Sequence, residues 1–186
     1  MCRSSSQLSK IKLLIGKTLL TAFVFPLCLL LTAGWLGASE SLPEFEDYPV
    51  TERLEGDPAA VDLSSDPNAR TFRTRLRRAA AAGPDFAGIY AMAYWGCGMG
   101  CTMFAVIDLR SGKVMFPEDN VFHFTGFPKE FIDTGGDKIE YRLDSSLLII
   151  NGQQDPAEGP GSYYYQMKDG ELTLIESVLW PRTQDN

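Results

Sequence analysis

Three features of the 186-residue chain predict an α+β fold that is mainly β: alternating apolar and polar positions over most of residues 86–180, short polar turns closed by glycine, and one capped helical stretch ahead of them. About seven short strands in sequence order imply an antiparallel meander, either a curved sheet or a small barrel, with one flanking N-terminal helix. The predicted organisation is a signal peptide over residues 1–38, an acidic irregular arm over 39–66, a single β-rich domain over 67–180 with its helix at 67–82, and a polar tail over 181–186.

The leader comes first in the chain and decides the chemistry of the rest. Arg3, Lys10, Lys12 and Lys17 precede the apolar run "LLTAFVFPLCLLL", and small residues follow at Gly34, Gly37 and Ala38. Basic, apolar, small is the order of a secretory signal, and the run falls short of the roughly 18 to 20 residues that span a bilayer. Cleavage after Ala38 and a periplasmic or secreted location are expected, with no permanent membrane span; an uncleaved signal anchor is the alternative. Cys28 lies inside the run in "FPLC", which is not a lipoprotein acceptor. Loss of the leader removes four basic residues and leaves 13 Lys and Arg against 24 Asp and Glu, formally −11. So acidic a chain is no nucleic-acid binder.

The arm carries Pro43 and Pro49 among acids and is bounded by Pro67, yet it also holds Leu42, Phe45, Tyr48, Val50, Leu54, Val61 and Leu63. These apolar anchors predict an arm lying across the domain, with an edge strand around Val50 to Leu54; the alternative is a disordered tether. In "DPNARTFRTRLRRAAAAGP", Asp66 is placed to cap a helix and Pro67 suits its first position, while Gly83 and Pro84 end it. Phe72, Leu76, Ala79 and Ala80 form its apolar stripe. Arg70, Arg73, Arg75, Arg77 and Arg78 fill the remaining circumference. They read as a solvated face answering the chain's own carboxylates, or as an anion site for phosphate, glycan sulfate or a lipid headgroup.

After Pro84 the period becomes two. Strands are predicted over Phe86 to Trp95, Thr102 to Leu109 and Lys113 to Phe116, then in "VFHFT", in "IEYRLDSSLLIING" with its reversal at Asp144 and Ser145, and in "GSYYYQMKDGELTLIESVLW". Gly112 and Gly170 close hairpin turns that need a left-handed residue.

Between the first two strands lies "YWGCGMGCTMF". With Cys2 and Cys28 gone, Cys97 and Cys101 are the only cysteines left, and in an oxidising compartment such a pair bonds to itself. A straight strand would hold their α-carbons about 13 Å apart, whereas a disulfide needs about 4.4–6.8 Å. The chain must therefore reverse around Met99, which Gly98 and Gly100 permit. Other chemistries fit less well. Zinc wants four ligands where two Cys and the single His123 exist, so no metal and no cofactor are expected. Redox motifs space their cysteines by two residues at a helix start, not by three between strands. A nucleophile at Cys101 or Cys97 would need His123 as its base; alternation puts His123 on the face of Val121 and Thr125, and a hydrogen-bonded core histidine is the alternative. Asp133-Thr134-Gly135 resembles an aspartic-protease string without the second copy that chemistry requires, and "DTGGD" and "PEDN" read as solvated turns. Tyr94, Trp95, Tyr163 and Tyr165, with Met99, are candidate binding residues for a sugar or a protein surface; the alternative for the aromatics is core and cross-strand packing.

Taken together, "FAGIYAMAYWGCGMGCTMFAVIDLRSGKV", "YRLDSSLLII" and "YYYQMKDGELTLIE" resemble a family of small, signal-bearing, uncharacterised bacterial proteins with a WGCGxxC motif and a YRLDS segment. The resemblance spans about Thr71 to Ile175, implies a Gram-negative envelope location, and transfers no activity. Met99 stands where that pattern has a small polar residue. The expectation is an exported, disulfide-stapled binding module whose partner is an envelope protein or a glycan. An inhibitor or accessory subunit of another envelope protein, and a cysteine-dependent enzyme using Cys101 or Cys97 with His123, are the alternatives.

Overall fold

A computed structural model describes residues 41–154 and 159–181; the predicted signal peptide and residues 182–186 of the tail lie outside them. The described residues form eight antiparallel strands in two four-stranded sheets, not a closed barrel. Sheet I holds β1 (Tyr90–Gly98), β2 (Cys101–Asp108), β3 (Val114–Met115) and β4 (Val121–His123), with β1 on one side of β2 and both β3 and β4 on the other. Sheet II runs β5 (Ile139–Tyr141), β6 (Leu147–Gly152), β7 (Gly161–Lys168) and β8 (Glu171–Leu179) in sequence order. Helix α1 (Arg73–Ala82) precedes sheet I, and a one-turn-and-a-half helix α2 (Lys129–Thr134) links the sheets.

Side-chain alternation along β1 and β2 produces three layers. Tyr90, Met92, Phe104 and Val106 point toward sheet II, where they meet Leu148, Ile150, Tyr163, Tyr165 and Met167 in one core. Ala91, Ala93, Trp95, Ala105 and Ile107 point the other way and meet Leu76 and Ala80 of α1 in a second core. The alanines matter because small side chains on the sheet let the helix approach closely. Leu76 and Ile107 are fully buried, and burial of such a side chain contributes roughly 1.5–3 kcal/mol.

The helix starts later than its sequence signals imply. The Asp66 carboxylate accepts the Asn68 N–H at 2.7 Å and a run of turns follows, with Ala69 N–H bonded to the Asp66 carbonyl at 3.1 Å. A local side-chain turn has outcompeted the cap, so regular helix begins at Arg73 with Phe72 at its N-cap. Phe72, Leu76, Ala79 and Ala80 still form the packed stripe. Gly83 ends the helix at φ 90°.

The arm also departs from expectation, since Val50 to Leu54 form no strand. Its bonds go to two different elements: Val50 N–H to the Asp144 carbonyl (2.9 Å) beside β6, and Leu54 N–H to the Gly88 carbonyl (3.1 Å) before β1. A segment crossing from one sheet to the other has no single strand to follow. Further on, Ala59 N–H bonds the Leu109 carbonyl (2.7 Å) and Asp62 N–H the Gly112 carbonyl (2.8 Å). Two glycines make this approach possible: a β-carbon at Gly88 or Gly112 would sit 2.0 Å from the carbonyl oxygen of Glu52 or Ala60. Ion pairs Arg142–Glu46 (2.8 Å) and Arg110–Glu52 (2.6 Å) lie over the exposed side.

Helix α2 was not foreseen. It absorbs the first half of "DTGGD", with Asp133 paired to Lys129 one turn back and Gly135 closing the helix in the left-handed conformation. Phe127 and Phe131 stack at 4.7 Å and both lie against Trp180, tying α2 to the end of β8.

Candidate functional site

The β1–β2 hairpin carries the cysteine motif at its tip. Pairing runs in register from Tyr90↔Asp108 to Gly96↔Thr102, then shifts so that Gly98 opposes Cys101 and Cys97 bulges out. Cys97 and Cys101 are joined by a disulfide with their α-carbons 5.2 Å apart. Met99 and Gly100 make the turn; Gly100 takes φ 70° at the position where a type II turn needs a positive value. Met99 is 100 % exposed. The tip is not free on both sides, because β4 runs along it: His123 lies opposite Cys101, and Phe124 N–H bonds the Gly100 carbonyl at 2.6 Å.

The register therefore does bring His123 beside Cys101, but each sulfur is bonded to the other, and a disulfide sulfur is neither a thiolate nucleophile nor a thiolate ligand. His123 is half-buried, and its backbone N–H and carbonyl both pair with Gln153 at 2.8 Å, which stitches sheet I to the end of β6. Among the described residues no three of His, Cys, Asp and Glu converge as metal ligands would.

Three of the aromatic candidates are corrected by their burial. Trp95 is 8 % exposed, packed on Phe72 at 4.6 Å and Phe116 at 6.1 Å, with the Arg75 guanidinium 5.7 Å from its ring centre. Tyr163 and Tyr165 lie between the sheets against Phe122, at 5.6 and 6.4 Å. Burial pushes the Tyr165 phenol well above its usual range, the negative charge of Asp119 adding to it. These side chains are core because both faces of β1 and the inner face of β7 are covered. None of the three offers a stacking surface.

Tyr94 is different. It is 57 % exposed, on β1, which among the described strands pairs with β2 alone. Beside it stands Tyr141 of β5, whose hydroxyl donates to the Asp85 carboxylate at 3.3 Å. Burial raises the Asp85 carboxyl above its ordinary value, against the opposing hydrogen bonds from Met92 N–H (2.8 Å) and Tyr141. Burial likewise raises the Tyr141 phenol, reinforced by Asp85 and Tyr94. Neither Asp85 nor Tyr141 stood out in the sequence, for residues 56 apart show no local pattern.

On the other flank of the same edge lie the arginines. Among the described residues none of Arg70, Arg73, Arg75, Arg77 and Arg78 is ion-paired; the pairs there involve Arg110, Lys129 and Arg142. Arg73 donates to the Arg70 carbonyl at 3.2 Å, and Arg70 acts on Asp62 only through its charge. The expected solvated face answers the chain's own carboxylates only through charge, by Arg70 toward Asp62; among the described residues no ion pair holds these side chains. Arg75, Arg78 and Ala79 of α1 and Met92, Ala93 and Tyr94 of β1 line a groove of about 420 Å³.

A second cavity of about 450 Å³ is bounded by Glu52, Tyr90, Asp108, Arg110, Lys113 and Asp169 among others. Within it Arg110 holds Glu52 at 2.6 Å and Asp108 at 3.3 Å. Burial opposes ionisation of Asp108, yet the hydrogen bonds from Arg110 outweigh it and hold the carboxyl below its usual value. No family model, no curated protein and no solved structure matches the chain.

Proposed function

We propose that the chain is an exported, non-catalytic binding module of the bacterial envelope, related to the signal-bearing WGCGxxC proteins it resembles, and that it contacts an envelope protein or glycan through the hairpin tip. The observation that carries this reading is Met99, fully exposed on a turn whose two flanking cysteines are tied together. A fixed apolar tip loses little conformational entropy on contact, which favours binding. With both sulfurs engaged, the same segment is poorly suited to nucleophilic chemistry. Blocking another envelope protein through this tip, as an inhibitor or accessory subunit would, is a special case of the same contact.

Capture from envelope extract with wild type, Met99→Ala and His123→Ala in parallel tests the reading. Wild type and His123→Ala should retain the same partner while Met99→Ala loses it. Intact mass should place the mature N-terminus near Ser39 with two fewer hydrogens before reduction than after. A reduced protein that turns over a substrate and loses that activity with His123→Ala, while melting like wild type, would establish the cysteine enzyme instead, which the placement of His123 opposite Cys101 makes the second reading.

A further inference from the structure

We infer that the open edge of β1 beside α1 is a docking strip for an extended acidic polypeptide, which adds to sheet I as a further strand and sets its carboxylates against Arg75 and Arg78. The inference rests on the reading of the chain as a binding module and names a second contact surface and its partner class.

The backbone supplies half of the site. Leu109 N–H bonds the Ile89 carbonyl at 3.1 Å, so Ile89, and by alternation Ala91, Ala93 and Trp95, direct their amides and carbonyls to β2. Tyr90, Met92 and Tyr94 direct theirs outward. Tyr90 is satisfied by Phe86 at 3.0 Å, and Met92 N–H by the Asp85 carboxylate at 2.8 Å. From the Met92 carbonyl through Tyr94 the edge has no backbone partner among the described residues. Unpaired strand edges of this kind recruit extended chains through main-chain hydrogen bonds. Met92 to Gly96 offers about 17 Å of edge at about 3.3 Å per residue.

The helix supplies the other half and fixes the charge of the occupant. Arg75 and Arg78 are i and i+3 on α1, so their β-carbons stand about 5–6 Å apart. In a strand laid along β1, side chains at i and i+2 share a face about 7 Å apart. Two carboxylates with one residue between them therefore meet two guanidiniums that hold no carboxylate among the described residues. The intervening residues face Tyr94. Asp85, holding Met92 N–H, ends the strip and repels acid beyond it. The chain as a whole is negative, formally −7, which makes this local positive groove selective rather than one part of a general anion-binding surface. An anionic lipid headgroup would use the arginines but not the strand edge.

The test uses the purified chain and a fluorescein-labelled octapeptide alternating Val and Glu, read by anisotropy, beside a Pro/Glu octapeptide of equal charge that cannot form a strand. Saturable binding of the Val/Glu peptide is expected, weakened about tenfold or more by Arg75→Gln/Arg78→Gln and by the proline substitution, and falling with salt. Hydrogen exchange at the Tyr94 amide should slow in the presence of saturating peptide. The arginine variants should melt like wild type, and Met99→Ala should bind the peptide unchanged. Absence of saturable binding up to about 1 mM, equal binding of the proline peptide, or unaltered Tyr94 exchange overturns the strip. So does binding of phosphatidylglycerol vesicles through the same arginines without the Val/Glu peptide, which would assign the face to a membrane surface. Failure here with capture through Met99 intact removes the edge alone; peptide binding without any Met99-dependent capture removes the tip alone.

Discussion

Replacing Cys97 and Cys101 together with serine tests what the staple does. The closed loop holds five residues, since the cysteines are four apart in sequence. In the chain-entropy treatment such a loop restrains the unfolded chain by about 7 cal/mol/K, or about 2 kcal/mol at 25 °C. Native pairing limits any further loss: Cys101 remains opposite His123, and Phe124 N–H still holds the Gly100 carbonyl. For a domain of this length about 2 kcal/mol corresponds to a fall in Tm of about 6–8 °C. Urea unfolding followed by tryptophan fluorescence, for wild type with and without reductant and for the double variant, measures it. The midpoint should fall by a similar amount in the reduced protein and in the variant, with little change in slope, because so small a loop barely alters the surface exposed on unfolding. A loss above about 4 kcal/mol would exceed anything a five-residue loop supplies by entropy. It would refute the view that the bridge fixes one tip while two cores hold the fold.

Three further outcomes follow from the packing and the charges. Leu76→Ala, which empties a fully buried position between α1 and sheet I, should cost about 2–5 kcal/mol by chemical denaturation, more than the disulfide for most of that range. Asp85 has a folded-state pKa raised above its ordinary 3.8 by burial, so the native protein holds that proton to higher pH than the unfolded chain and this group's contribution weakens as pH rises from 3.8 through the raised value. Asp85→Asn, which keeps an acceptor for Met92 N–H, should therefore melt higher than wild type at pH 7, with the gap closing toward pH 3.8; a gap that widens on acidification would contradict the assigned cause. Gly112→Ala should drive the Ala60 carbonyl away and expose residues 57–62 to limited proteolysis, with the sheets still protected in hydrogen exchange.

The alternation after Pro84 and the glycines of the tip made β1 and β2 legible as strands, while "YAMAYW" and "FAVI" are in fact apolar on both faces, the pattern of strands covered twice. The same pattern carries the correction of Trp95: on a strand buried on both sides, an aromatic residue at either face is core. Tyr94 escapes although Ala93 and Trp95 beside it on the same strand are buried, and which position is left uncovered depends on remote packing that local periodicity does not encode. The break into two sheets was hidden for a related reason. A meander read in order gives no sign of where hydrogen bonding stops, and the short α2 between the sheets has too few residues for a periodic signal. The stripe of α1 was plain at helical spacing, while its start was not, since Asp66 serves a cap and a turn equally well. That the arginines stand unpaired among the described residues was invisible, because pairing depends on distances between remote segments.

The arm has a consequence for the order in which the protein comes together. Its first anchors reach far along the chain: the Ser145 hydroxyl donates to the Phe45 carbonyl 100 residues away and to the Tyr48 carbonyl 97 away, and Arg142 pairs with Glu46 across 96. A chain emerging N-terminus first at about 5–20 residues per second leaves Phe45, Tyr48 and Val50 without their partners for about 5–20 s. Closure of so long a loop also belongs to the slow end of folding, since its entropy is lost before any contact rewards it. The segment made earliest is thus among the last to dock. A chain cut short before residue 142 lacks those partners and keeps the apolar anchors of the arm uncovered.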